Sequence, residues 1–332
     1  MSPSTASGIF ARVSFIRPKE VAKLLAPLLA LGLCLATDAA LPSVYPSDYS
    51  EQYFPAFLRI VLLLYLACAA LSCWFKAVRQ RLLHFWGLLI AVFVLLTFLN
   101  LQTVKSGNFL LPYVPSPDQI LGAIFGNLPT VLDNLGGSLS LLLQGITLGG
   151  VAGMVYGSCM GYSRFFNYWL SPFIKLIGPV PSTAWMALAM VLAPSSHAAS
   201  VCLVALSTWF PLSVNLSGGI RGVNKTYIER AQTLGASHFF ILRKVIYPAV
   251  LPNIFTGLFM GVCFSLTALV GAEMLGVQSG LGWYISYAEA WSEFDLIYST
   301  ILIFILVAFT LITILFKIQK QVMKWTKGAI QW

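Results

Sequence analysis

Charged side chains are scarce in this chain, so the places where they gather carry information. Residues 226–252 read TYIERAQTLGASHFFILRKVIYPAVLP, between two long apolar runs. Glu229, Arg230, Arg243 and Lys244 fall inside the stretch. Charges so close together do not belong in hydrocarbon, where each costs about 2.5–3.5 kcal/mol even on insertion scales. Thr226 and Glu229 have capping-box spacing, Gly235 suits the left-handed residue that ends a helix, and Ser237 can cap a second helix carrying Phe239, Phe240 and Leu242. Pro248 and Pro252 mark entry into the next apolar run. The spacing predicts a short helix–turn–helix at an aqueous face, with a polar side available to a partner. A helix that simply lies on the membrane surface satisfies the same pattern.

Two further groups have chemical potential. Pro179 and Pro181, followed by Ser182 and Thr183, interrupt an apolar run. Proline frees helix carbonyls, which are tolerated at membrane depth when they face protein or a watery cavity. These four residues are therefore candidates for a translocation path, and a plain packing kink is the alternative. Glu273 sits near the outer end of a later run, where interfacial water and local amides can satisfy it or it can line an outer gate. No catalytic constellation stands out. There is no phosphate-binding loop of the form Gly-x4-Gly-Lys-Ser/Thr, so this chain has no such route to ATP hydrolysis. His84, His197 and His238 share no ligand spacing, and the six cysteines form no Cys-x-x-Cys pair. No metal site is expected, and the cysteines read as small apolar helix residues.

The elements that must position these residues are membrane helices. Of 332 residues, 58 % are hydrophobic and 9 % charged, against about 25 % charged in soluble domains. The runs are long and do not alternate, which excludes a β-barrel. A span needs about 20 apolar residues, and eight runs qualify, near 22–38, 55–75, 84–103, 136–161, 170–193, 198–218, 249–271 and 297–317. The first has the basic flank and small residues of a signal peptide and is read as a retained span. The expected organisation is an extension with three spans (1–103), an extracytoplasmic linker with an amphipathic segment (104–135), and a five-span core (136–332) whose charged loop covers 222–248. With the N-terminus inside, 18 of the 20 Lys and Arg residues face the cytoplasm, Arg59 and Lys105 being the exceptions. That bias predicts both termini in the cytoplasm, with Ser47 and Ser116 outside and Thr226 and Thr326 inside. Gly145, Gly149, Gly153, Gly157 and Gly161 recur every four residues in one span, and Gly257, Gly261 and Ser265 repeat the device. Such stripes let helix backbones approach closely, either within one chain or across a dimer seam.

The charged loop resembles the coupling loop of permease subunits of ATP-binding-cassette (ABC) importers: Glu-Ala-Ala, three residues, Gly, nine residues, Ile-x-Leu-Pro. Here stand Glu229, Arg230 and Ala231, then Gly235, then Val245, Ile246, Tyr247 and Pro248. Arg230, Val245 and Tyr247 depart from the pattern. GPVPSTAW at 178–185, GAEMLGVQSGLGWYI at 271–285 and the prolines at 112, 115 and 117 extend the resemblance over about 111–332, to the branch serving nitrate, sulfonate, taurine and bicarbonate. It implies an all-α, polytopic, type I importer permease of the bacterial inner membrane, not itself an enzyme. ATP and Mg would be bound by separate ATPase subunits docking on Glu229, Arg230, Ala231, Gly235 and Pro248. An extracytoplasmic solute-binding protein would deliver a small anion, and a second permease copy, most simply an identical one, would complete the path; no nucleic acid is involved. An ion-coupled secondary transporter, which would need ionisable residues near the midplane, and a non-transporting scaffold are the alternatives.

Overall fold

The computed structural model describes residues 18–45 and 52–324, and they are predominantly helical, without strands. Ser47 and Thr326, together with Arg12, Arg17 and Lys327, lie outside the described residues. Seven helices among the described residues are long and apolar enough to cross a membrane. An eighth crossing exists if Arg164–Ile177 and Ser182–Leu192, bent by 92° at the break between them, act as one broken span. This pair falls where the sequence predicts a fifth span at 170–193. Pro179 and Pro181 explain why it is not one straight helix.

The described residues form two compact units, one of those up to 127 with 292–299, the other of 128–291 with those from 300 on. In the first, α1 (Pro18–Ala40), α2 (Tyr53–Trp74), α3 (Lys76–Asn100, prolonged by a π-helical turn Leu101–Lys105) and α4 (Pro117–Gly126) pack around Leu31, Cys34, Phe54, Leu58 and Phe93. Polar ties join its helices. The Tyr65 hydroxyl donates to the Leu24 carbonyl at 2.7 Å, and Arg79 lies 3.9 Å from Glu20. Lys105, one of the two basic residues on the wrong side of the charge bias, is paired with Asp38 at 3.9 Å, and Asn100 donates to the same oxygen at 2.8 Å. The pair is almost wholly buried, so Lys105 is neutralised where it sits.

The amphipathic segment is α4. Ser116 and Gln119 form a reciprocal capping box at its start. Asp118 accepts a 2.7 Å hydrogen bond from the Phe54 amide and so caps α2 from a distance. Burial pushes the Asp118 carboxyl above its ordinary pKa, and the amides of Phe54, Tyr53 and Gln52 pull the other way.

The second unit contains α5 (Leu128–Tyr162), α6 (Arg164–Ile177), a 3-10 turn (Ser182–Trp185) leading into α7 (Met186–Leu192), α8 (Ser196–Gly222), α9 (Lys225–Thr233), α10 (His238–Ile241), a π-helical turn (Leu242–Ile246), α11 (Tyr247–Gly276), α12 (Leu281–Trp291) and most of α13 (Phe294–Val322). α8 is its centre, with 61 % of its most apolar window buried against none of that of α13. α5 packs along one side of α8 and α11 along another. Cys34, Cys68, Cys159, Cys202 and Cys263 are free thiols.

The positive-inside bias can be tested by labelling. Ser116 is buried as a helix cap, so Ser43, which is exposed, is the better outer position. Ser43→Cys should react with an impermeant maleimide in intact cells, above the level of the parent chain. Thr226→Cys should react only after permeabilisation. The reverse pattern would invert the topology.

Candidate functional site

The charged stretch folds as two short helices set at the lower ends of α8 and α11. Asn224, rather than Thr226, is the first cap: its side chain accepts from the Thr226 amide at 3.0 Å. Thr226 already lies inside α9, so the expected capping box with Glu229 does not form. α9 ends in a Schellman turn, with the Gly235 amide on the Gln232 carbonyl at 2.9 Å and the Ala236 amide on the Ala231 carbonyl at 3.0 Å. Gly235 has φ +79°, as the turn requires. Ser237 caps α10 through the Phe240 amide.

Apolar side chains fix this assembly from beneath. Ile241 and Ile246 are fully buried with Leu212, Leu216, Ile220, Val250 and Ile254, and Ile228, Ala231 and Ala236 pack on the same cluster. Two hydrogen bonds tie it to α5. The hydroxyls of Ser158 and Tyr247 are 2.9 Å apart, and Tyr162 Oη lies 2.7 Å from His238 Nδ1. Glu229 and Arg230 are exposed, Pro248 is half-buried in the first turn of α11, and Leu234, at 87 % exposed, stands at the tip. Tyr227, Phe239 and Phe240 are exposed beside Lys225, Arg243 and Lys244. The result is a rigid base carrying an apolar tip ringed by charge, which suits a protein groove better than bulk water.

Pro179, Pro181, Ser182 and Thr183 come together with Ser207, Phe210, Phe264 and Thr267 around a cavity of about 420 Å³. No charged side chain lines it. Gly178 is required at its edge, because a Cβ there would collide with the Phe210 ring. Ser207 and Thr267 donate back to carbonyls of their own helices, those of Leu203 and Cys263.

Glu273 does not join that cavity. It is completely buried, and of the partners the sequence suggests, a local amide does hold it. Burying a carboxylate is costly unless it is hydrogen-bonded. Here Ser138 Oγ donates to Oε1 at 2.7 Å and the Gly282 amide to Oε2 at 2.8 Å. Ser138 in turn accepts from the Leu281 amide at 2.7 Å, and Asn134 accepts from the Gly280 amide at 2.9 Å. These side chains pin the Gly280–Gly282 turn, and with it α12, to α5. Nothing in the sequence links Asn134 and Ser138 to a glutamate more than 130 positions away.

The glycine stripe of α5 faces α8. A Cβ on Gly149 would collide with the Ala205 carbonyl and one on Gly145 with Val204. On Gly153 it would lie 3.1 Å from Leu212 and the Trp209 carbonyl, on Gly157 2.9 Å from the Ser213 carbonyl, and on Gly161 2.8 Å from Ile220. Gly257 and Gly261 approach α8 from the α11 side, and Ser265 Oγ meets Thr208 Oγ1 at 2.6 Å. The stripe therefore serves packing within the chain.

The second unit thus combines membrane-length helices, a cavity lined by no charged side chain and an exposed helix–turn–helix at the ends of α8 and α11. The chain belongs to the family described as binding-protein-dependent transport system inner membrane component, which matches residues 145–327, more than half its length. It is 32 % identical over 199 residues to an ABC transporter permease protein of Methanocaldococcus jannaschii, covering 60 % of this chain and 74 % of that one. It is 28 % identical over 237 residues to the taurine transport system permease protein TauC of Escherichia coli, covering 69 % and 86 %. It is also 28 % identical over 212 residues to the nitrate import permease protein NrtB of Synechocystis, covering 59 % and 74 %. Among solved structures, an amino acid ABC transporter shares the fold at a TM-score of 0.50 and 18 % identity, over 60 % of this chain and 95 % of that one. The chain is thus a multi-pass permease subunit of the inner membrane and not an enzyme.

Two substitutions separate packing from mere helix propensity. Gly149→Leu overpacks the α5–α8 contact and should cost about 1–3 kcal/mol or more, seen as lost folded protein after detergent extraction. Gly150→Ala, where a Cβ meets nothing within 4 Å, should be neutral. Glu273→Ala orphans two buried donors, at about 1–3 kcal/mol each, and should lower the thermal midpoint more than Glu273→Gln.

Proposed function

We propose that this permease works as one of two membrane subunits, most simply two copies of this chain, in an importer powered by separate ATPase subunits that bind ATP and Mg. Each ATPase docks on the segment 222–248, and an extracytoplasmic solute-binding protein delivers the cargo. Both termini and the docking segment face the cytoplasm. The observation that carries this is the docking segment itself. Its inner face is anchored in the core of the second unit, while the side chains of Glu229 and Arg230 make no hydrogen bond or ion pair among the described residues and Leu234 is exposed. With Asn224 acting as the cap, Glu229 is free for an intermolecular contact. Closure of the ATPases would draw the segments together and shift the spans between inward- and outward-facing states.

The cargo we favour is a small anion of the nitrate, taurine or sulfonate, or bicarbonate kind, since relatives named for taurine, nitrate and bicarbonate transport resemble this chain. The cavity at Pro179–Thr183 would form part of the path. Its lining offers hydroxyls and apolar groups but no cation, so discrimination among anions would rest with the delivering protein. An ion-coupled mechanism is disfavoured because no ionisable side chain lines the cavity, where such a mechanism would need one.

Gly235→Val tests the reading. A β-branched residue is strained at φ +79°, yet the position is exposed and outside the spans. The variant should assemble with ATPase in normal stoichiometry and lose most cargo-stimulated ATP hydrolysis and uptake in proteoliposomes. Glu229→Ala should assemble normally and lose less. Full coupling in Gly235→Val would return the segment to a plain interfacial helix.

A further inference from the structure

The docking segment and the cavity lie at different places on the second unit, and a polar contact that packing alone does not demand stands between them. Arg221 is in the last turn of α8, three residues before the Asn224 cap. Its Nη2 donates to Asn167 Oδ1 at 2.5 Å and to the Met160 carbonyl at 3.3 Å. Asn167 is in the first turns of α6. That helix is held by a second hydrogen bond, from Tyr156 Oη to the Leu170 carbonyl at 2.9 Å. Much of its remaining surface is exposed: Phe165, Tyr168, Trp169, Phe173 and Leu176 all face outward. α6 is therefore lightly anchored along its length and ends at Ile177. The chain that follows, Gly178 to Thr183, turns through the 92° break and forms one wall of the cavity.

We infer that Arg221 and Asn167 are positioning residues that make α6, and with it the Pro179–Thr183 wall, follow displacements of the docking segment. A guanidinium suits this task. Its planar fork holds two acceptors in fixed directions, where an ammonium acts as a point charge, and its charge strengthens the bond to the amide oxygen. A cation at the C-terminal end of α8 is also favoured by the helix dipole. A pull on α9 moves the end of α8. Arg221 passes that displacement to α6 close to its start, and the far end of α6 carries it to the cavity wall. Without the contact, the Tyr156 tie is the one side-chain hydrogen bond left to α6 among the described residues, and the wall is released from the segment. The inference rests on the importer reading above.

The test uses the whole complex purified with its ATPase subunits, carrying Thr183→Cys as a reporter. Labelling of Thr183→Cys by a small maleimide, above that of the parent complex, is compared without nucleotide and with ATP, Mg²⁺ and vanadate. In the complex with Arg221 and Asn167 intact, nucleotide should change the labelling rate. In Arg221→Met and in Asn167→Leu that nucleotide dependence should shrink by about 2- to 30-fold, the span seen for changes along coupled networks, with basal ATPase and subunit stoichiometry unchanged. Asn167→Asp keeps an acceptor for Arg221 and should retain the response. A full response in both Arg221→Met and Asn167→Leu overturns the inference. A loss in Asn167→Asp as large as in Asn167→Leu overturns it too, because the acceptor would then be irrelevant. If the chain purifies with no ATPase, or if the intact complex shows no nucleotide response, the importer reading itself fails.

Discussion

The second unit depends on how closely helix backbones approach α8. In a bilayer, helices gain little by hiding apolar surface from one another, because lipid tails are equally apolar. Association must come from close packing and from hydrogen bonds. Five glycines of α5 lie against α8, and Gly257, Gly261 and Ser265 of α11 approach it from another side. With the backbones so near, the hydroxyls of Ser265, Thr208 and Ser213 reach across helix boundaries, Ser265 to the Val204 carbonyl at 3.2 Å and Ser213 to the Gly153 carbonyl at 3.4 Å.

Because α8 is gripped in this way, it can serve two places at once. Leu206, Ser207 and Phe210 contribute to the cavity, while Leu212, Leu216 and Ile220, further along the same helix, form the floor on which α9 and α10 rest. The cavity and the proposed docking segment thus share one helix, and neither needs a charged residue inside the span. The charge instead gathers at the ends. Glu273 is the exception, and its hydrogen bonds to Ser138 and Gly282 hold a turn.

Much of this was legible in the sequence because it follows from local rules. Apolar length marked the spans, the four-residue glycine period marked a packing face, and Gly235 and Ser237 announced a turn and a cap through their own backbone preferences. Features set by distant partners were not legible. The preference of Asn224 over Thr226 as a cap depends on where α8 releases the chain. The fate of Glu273 depends on Asn134 and Ser138 in a different helix. The link between Arg221 and Asn167 joins residues 54 positions apart, and no periodicity encodes it. The fifth span showed its prolines, but their effect, a 92° break that shapes the cavity, depends on the Phe210 ring lying against Gly178.

The length of α5 has a mechanical meaning. Its 35 residues at 1.5 Å each make a rod of roughly 50 Å, well beyond the ~30 Å hydrocarbon layer. One end carries Asn134 and Ser138, which hold the Gly280 turn, and the other carries Tyr162, which touches His238 on the docking helix. A rod pivoting near its middle moves its ends in opposite directions. A rocking of only about 5° would displace each end of such a rod by roughly 2 Å, enough to exchange hydrogen-bond partners. Were the two aqueous faces to open alternately, one rigid rotation of α5 would move both its ends with no signal passed from residue to residue.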